Sequence, residues 1–362
     1  GLFTGKTVIV TGGGKATLKD GSAGSIGYGI DIALQEGANL VITGRNVAKL
    51  EAAKESLEAE YGVKVLPVQA DVSAGQDNEA VVQNVIDKAI EEFGRIDAVV
   101  NNAQASASGV TIADHTMDQF NLAIYSGLYA TYLYMQKAYP HLKETKGSVV
   151  NFASGAGLFG NYGQCSYAAA KEGIRGLTRV AANEWGKDGI NVNIVCPLAW
   201  TAALENFQDA YPEAFKANVH MPPAAYGDVE KEIGRVVVQL CGPDFKYMNG
   251  ETVTLEGGMG HGPKSYGVTK RRNGPTLRGR QGDNLSFKEG GMTRRSMPPC
   301  FKAPCSLWRV FAHMTQSAVK SHNAPPTACN RSAGPAVNPS RSAPGMSSTL
   351  RLSLISADTV LS

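Results

Sequence analysis

The feature that most restricts this chain is an alternation of periods. Between residues 7 and 255, seven short apolar, β-branched runs are separated by longer amphipathic stretches, so the hydrophobic period switches repeatedly from two to about 3.6. The runs read TVIV, NLVIT, VKVLPVQA, IDAVVN, GSVVNFA, INVNIV and ETVTL. The stretches between them predict helices from Ile26 to Glu36, from Val47 to Tyr61 and over roughly 76–93, with Gly37, Gly62 and Gly94 as their stops. Further helices are predicted near 115–139, from Gln164 to Trp185 and over 228–241, with an aromatic-rich connection at 198–227. Apolar strands that alternate with helices imply a parallel sheet covered on both faces, because parallel neighbours need crossover connections. The expected fold class is therefore α/β, a doubly wound (Rossmann) parallel seven-stranded sheet. In such a sheet ligands lie beyond the carboxyl ends of the strands, so residues that end strands are the ones to read for function.

The alternation stops near Gly262, and the composition changes there. Of the 362 residues, 263–362 hold 15 Lys and Arg against 3 Asp and Glu, together with ten of the 17 prolines. The net charge of +3 thus divides into +12 for the tail and −9 for residues 1–262. A stretch such as NAPPTACNRSAGPAVNPSRSAPG has neither period and too little apolar surface to offset its ordering entropy. The division expected is a Rossmann domain at 1–262 and a Pro/Ser/Arg-rich, disordered tail at 263–362. Basic clusters such as Lys270-Arg271-Arg272 lack interleaved aromatics and any recognisable module, so no nucleic-acid partner is expected. No run approaches the roughly 20 apolar residues of a membrane helix. The six cysteines show neither Cys-x-x-Cys pairs nor zinc-finger spacing, which points to reduced thiols, no metal and a cytoplasmic location.

Chemistry is concentrated in ASGAGLFGNYGQCSYAAAK. Ser154 follows the fifth apolar run, Tyr167 comes thirteen residues later, and Lys171 stands one helical turn beyond it on the same helix face. An adjacent ammonium favours the ionised phenol and lowers its pKa from about 10, which suits Tyr167 for general acid/base work. A hydroxyl at Ser154 can hydrogen-bond a substrate oxygen on which charge develops. Cys165 has no histidine in its immediate sequence to activate it and is read as packing.

With these residues in place the chain resembles the short-chain dehydrogenases/reductases, of the ketoacyl reductase-like type, over about residues 3–262. The resemblance is carried by Thr11-Gly12 with Ser25-Ile26-Gly27, by Asp71-Val72, Asn101-Asn102-Ala103, Ser154, Tyr167 and Lys171, and by Pro197 with Thr201. It implies hydride transfer between a nicotinamide dinucleotide and a carbonyl or secondary alcohol substrate, with Ser154, Tyr167 and Lys171 catalytic. It places the dinucleotide against Gly12, Ser25, Ile26, Gly27, Arg45, Asp71, Val72, Asn101, Ala103, Tyr167, Lys171, Pro197 and Thr201. It also implies a homodimer or homotetramer formed through the long helices near 115–139 and 164–185.

Several departures qualify that picture. Twelve residues separate Gly12 from Ser25 where the family has three, so nine are inserted into the phosphate loop. Ser25 replaces a glycine, which is tolerable if its φ is negative. Thr43-Gly44-Arg45-Asn46 ends the second run with a guanidinium and no carboxylate, which favours NADP over NAD, and Lys15 can add a second charge. Asp71 serves the cofactor, caps a helix, or does both. Gln104 stands where the family has glycine, and Gly127 where it has its catalytic asparagine. Loss of that asparagine opens an alternative function, a catalytically silent NADP-binding scaffold. Trp200, Phe207, Tyr211, Phe215 and Tyr226 form either a lid over an apolar substrate or ordinary packing.

Overall fold

A computed structural model describes residues 1–260 apart from Glu36, Ala74 and Gln76; the tail expected at 263–362 lies outside the described residues. In chain order the elements are β1 (Thr7–Thr11), α1 (Ile26–Ala33), β2 (Asn39–Gly44), α2 (Val47–Tyr61), β3 (Lys64–Gln69), α3 (Asn78–Phe93), β4 (Ala98–Asn101) and α4 (Met117–Ala123). There follow α5 (Ala130–Thr145), β5 (Ser148–Phe152), α6 (Gly155–Phe159), α7 (Cys165–Trp185), β6 (Asn191–Pro197), α8 (Ala202–Ala210), α9 (Pro212–Asn218), α10 (Arg235–Cys241) and β7 (Thr252–Leu255). The sheet is parallel throughout, in the order β3-β2-β1-β4-β5-β6-β7. Its strand order reverses between β1 and β4, where a crevice opens at the carboxyl ends.

The two-residue period of the strands sorts the core onto two faces. Val8 and Val10 of β1, with Leu40 and Ile42 of β2, pack under α1, α2 and α10, whereas Ile9 and Val41 face α3, α5 and α7. Both strands are buried on both sides, which is why they read as continuous apolar runs. Gly62 and Gly94 end α2 and α3 in left-handed conformation, at φ 66° and 71°, as their positions predict. Pro67 lies in β3, an edge strand, where a missing N–H is tolerated.

The helix expected near 115–139 differs in two ways. It is interrupted by a π-helical turn at Ile124–Tyr129, and α5 then runs through Pro140 to Thr145. The missing proline N–H costs one backbone bond, while the extra turn buries Leu142 against the sheet. A second π-helical turn, Val229–Gly234, opens the helix expected at 228–241.

The inserted loop folds as a hairpin. Thr17 bridges Ala23, Leu18 N–H donates to Ser22 O at 2.9 Å and Gly24 N–H to Ala16 O at 2.7 Å. The hairpin docks on α8: Lys19 pairs with Asp209, Lys19 N–H donates to Glu205 Oε2 at 3.0 Å, and Ala202 N–H to Gly24 O at 2.8 Å. The nine extra residues therefore extend the surface toward α8.

Candidate active site

Two clefts open above the carboxyl ends of the strands and share Ile26, Asn102 and Gln104 in their walls. The first is framed by Gly12, Ser25, Ile26, Gly27, Arg45, Asp71, Val72, Asn101 and Ala103, nine of the residues expected to hold a dinucleotide. No residue of the hairpin at 13–24 lines either cleft, so the insertion leaves the crevice open.

Close backbone approach shapes this cleft. Gly12 adopts φ 77°, and a Cβ added at Gly27 would overlap the Gly12 carbonyl oxygen and lie 2.7 Å from its carbon. Ser25 has φ −137°, the negative value its substitution for glycine requires, and its Oγ caps α1 by accepting from Tyr28 N–H at 3.4 Å. Thr11 ties the ends of β1 and β4 together: its Oγ1 accepts from Asn102 N–H and Ala103 N–H, each at 2.9 Å. The bare cradle, the start of α1 and the basic Arg45 beside it fit a pyrophosphate-bearing group. Lys15 is placed elsewhere; its ammonium donates to Ser56 of α2, outside both clefts. Asp71 does not cap α3, whose N-cap is Asp77; its Oδ1 instead closes a local turn by accepting from Ser73 N–H at 2.9 Å.

The second cleft, of about 360 Å³, gathers Ser154, Tyr167, Lys171, Pro197 and Thr201. Ser154 caps α6, its Oγ accepting from Ala156 N–H at 3.1 Å, and its hydroxyl favours the ionised form of the Tyr167 phenol. Lys171 Nζ lies 5.3 Å from the centre of the Tyr167 ring and donates to Phe152 O at 3.0 Å. Thr201, 5% exposed, also caps α8 through Leu204 N–H. Behind the site, buried Asn101 Nδ2 donates to Asn151 Oδ1, and Asn151 Nδ2 to Thr178 Oγ1 of α7, each at 2.9 Å, which ties α7 to the strand ends.

The electrostatics run opposite to the expected sign. Burial pushes the Tyr167 phenol up to about 12, against a smaller lowering by the Ser154 hydroxyl. Burial likewise pulls the Lys171 ammonium down to about 8. Desolvation disfavours both charged forms and is the largest effect on each.

A stability test follows from the lysine. Its folded pKa lies below the ordinary value of about 10.4, so from about pH 8 up to that value the unfolded chain holds more protons and stability rises with pH. Lys171→Met is expected to remove up to one proton's worth of that slope, about 1.4 kcal/mol per pH unit, leaving the same-signed contribution of Lys246. Urea unfolding of both proteins between pH 7.5 and 10, conditions set about these pKa values, measures it; identical slopes contradict the assignment.

Among the proposed lid aromatics only Tyr226 lines the cleft. Trp200 packs on Phe215 and Tyr226 at 6.1 and 5.9 Å between ring centres, and Phe207 on Tyr211 and Phe215 at 5.9 and 6.1 Å, so these side chains build α8 and α9 into one body. Asn161, His220, Glu256 and Met259 also line the cleft and were not singled out by the sequence reading. They come from three separate segments, Glu256 and Met259 sharing the turn after β7, whose positions follow no common pattern. Among the described residues no cluster of His, Cys, Asp and Glu is suited to a metal, and no helix is long and apolar enough to cross a membrane.

This glycine-cradled crevice, joined to a cleft holding a serine, a tyrosine and a lysine, has the architecture of a dinucleotide-dependent oxidoreductase. A protein-family model described as enoyl-(acyl carrier protein) reductase matches residues 21–260. The chain belongs to the short-chain dehydrogenase/reductase superfamily, whose members use NAD or NADP, and is an oxidoreductase of the CH–OH/carbonyl class. It is 63% identical to a 12alpha-hydroxysteroid dehydrogenase of Clostridium sp. over 265 residues, 73% of this chain and 100% of that one. It is 34% identical to the levodione reductase of Leifsonia aquatica over 71% of this chain and 95% of the relative. A crystal structure of levodione reductase superposes with a TM-score of 0.63 at 31% identity, covering 71% of this chain and 98% of that one. One of NAD+-bound xylitol dehydrogenase gives 0.61 at 27% identity, over 71% of this chain and 99% of that one.

Proposed function

We propose that this protein is an NADP-dependent hydroxysteroid dehydrogenase that interconverts a 12α-hydroxyl and a 12-oxo group. The observation that carries the reading is the shared wall: Ile26, Asn102 and Gln104 join the glycine cradle to the cleft that holds Ser154, Tyr167 and Lys171. The relative's activity supports the substrate. So does the cleft, whose wall is largely apolar, with Phe152, Phe159, Leu198, Leu204, Val219 and Met259, and whose volume falls within the roughly 300–1,000 Å³ of small-molecule sites.

Bound in the first cleft, the dinucleotide would supply or accept the hydride. Tyr167, kept protonated by burial, donates its proton to the substrate oxygen during reduction and becomes the phenolate; in oxidation that phenolate, formed by prior loss of the proton to solvent, accepts one from the hydroxyl. Ser154, whose oxygen is already held by Ala156 N–H, turns its own proton toward that oxygen. Lys171 stabilises the phenolate formed after donation, and a folded pKa of about 8 lets it return a proton near neutrality. The apolar wall excludes water from the reacting carbon. This reading retains a catalyst where the alternative is a silent scaffold, and the close hydroxysteroid dehydrogenase relative favours the catalyst.

Arg45 at the end of β2 supports NADP over NAD, since a guanidinium pairs with a 2′-phosphate and a carboxylate would exclude one. Following oxidation of a 12α-hydroxysteroid by nicotinamide absorbance, the wild type is expected to prefer NADP, and Arg45→Glu to shift that preference by about 10²-fold toward NAD, the worth of a charge-assisted contact. Equal use of both dinucleotides by the wild type contradicts the cofactor reading; no turnover of any hydroxysteroid contradicts the substrate reading. The free thiols of Cys165, Cys196 and Cys241 fit a reducing, cytoplasmic setting. Exposed Tyr129 and Tyr132 at the start of α5 and Val180 on α7 support assembly as a homodimer or homotetramer.

A further inference from the structure

The two departures at Gln104 and Gly127 are far apart in sequence, one after β4 and the other inside the π-helical turn between α4 and α5. In the fold they meet. A Cβ built on Gly127 would lie 2.6 Å from Gln104 Cδ, 2.7 Å from Nε2 and 2.8 Å from Oε1, so no side chain fits at 127 while the Gln104 carboxamide stays in place. An asparagine there would carry its own carboxamide carbon one bond, about 1.5 Å, beyond that Cβ. Both residues would send a carboxamide into the same space.

We infer that Gln104 is a positioning residue for the reaction: its carboxamide replaces, from the β4 side, a side chain at 127, and its Oε1 is an unpaired acceptor held just behind the wall where the two clefts meet. Gln104 lines both clefts. Its Nε2 points at Ala123 O, 3.5 Å away, which fixes the orientation of the amide because a carbonyl accepts only from the nitrogen. That leaves Oε1 buried and without a partner. The nearest polar side chain on the turn, Ser126, is already committed, accepting from Ala105 N–H at 3.0 Å and donating to Leu122 O at 2.6 Å. A buried acceptor left unsatisfied costs about 1–3 kcal/mol, a cost that a donor arriving with the ligands would remove. The group it serves is a hydroxyl or water donor present when dinucleotide and substrate meet at the junction.

The inference rests on the dehydrogenase reading for its kinetic arm and stands apart from it in its stability arm. Gln104→Met keeps the volume and removes the acceptor; it is expected to hold or raise the melting temperature and to keep KM while kcat falls about tenfold, the worth of one hydrogen bond gained in the reacting complex. Gly127→Asn is expected to lower the melting temperature through overpacking. The double variant Gln104→Gly/Gly127→Asn, with the carboxamide delivered from the other side, is expected to recover both melting temperature and kcat. Wild-type kcat in Gln104→Met, or a Gly127→Asn cost that is the same in the Gln104→Gly background as in the wild type, overturns the inference. The melting cycle needs no substrate. Absence of hydroxysteroid turnover in the wild type therefore counts against the function, and an additive melting cycle against the exchange.

Discussion

Tyr167→Phe is expected to lower kcat by about 10²- to 10⁴-fold while leaving dinucleotide affinity and the unfolding midpoint nearly unchanged, as the proposed role of the phenol in a positioned proton transfer requires. The geometry explains why nothing nearby replaces it. Ser154 has its oxygen occupied by Ala156 N–H, and Lys171 is directed to Phe152 O at 3.0 Å, so neither stands where the phenol does. Steady-state kinetics with NADP and a 12α-hydroxysteroid, beside a fluorescence titration with NADPH, separates the two quantities. Activity within threefold of wild type would remove Tyr167 from the chemistry, since about 0.6 kcal/mol is too little for a general acid.

The second large effect belongs to the cradle. Gly27→Ala is expected to weaken dinucleotide binding at least about 100-fold, because the new methyl overlaps the Gly12 carbonyl and must push apart the loop and the start of α1 that together face the pyrophosphate. Asn102 Nδ2, which donates to Thr11 O at 3.0 Å, would stand 3.0 Å from the same methyl, so the junction between β1 and β4 is disturbed as well. Overpacking of this kind costs about 1–3 kcal/mol of stability, which leaves the protein folded and the binding measurable. Unchanged NADPH affinity in a folded Gly27→Ala protein would place the dinucleotide elsewhere.

The strands, the stops at Gly62 and Gly94 and the positions of Ser154, Tyr167 and Lys171 were legible because each follows from a local rule: a two-residue period, a left-handed cap, an i, i+4 spacing on a helix that begins above the strand ends. Other features depend on contacts that no local pattern encodes. The hairpin at 13–24 has turn chemistry in its sequence, but its direction is set by Glu205 and Asp209 of α8, far along the chain. Asn161, His220 and Glu256 reach the second cleft from loops whose paths the strand order alone does not define. The sign of the Tyr167 shift was missed because i, i+4 spacing reveals the ammonium and conceals the depth of burial, and burial has the larger effect. Gln104 and Gly127 each read as a separate defect in the pattern. Only their meeting across the π-helical turn makes them one substitution.

The central claim is that one substrate oxygen is held between Ser154 and Tyr167, beside Lys171 and against a dinucleotide seated on Gly12 and Gly27. A crystal structure of the protein with NADP+ and a 12α-hydroxysteroid tests it most directly. The account predicts the 12-hydroxyl oxygen about 2.6–3.2 Å from Tyr167 Oη, within hydrogen-bond reach of Ser154, and the pyrophosphate over Gly27. A steroid whose hydroxyl lies beyond about 5 Å from Tyr167, or a pyrophosphate bound away from the start of α1, would contradict it.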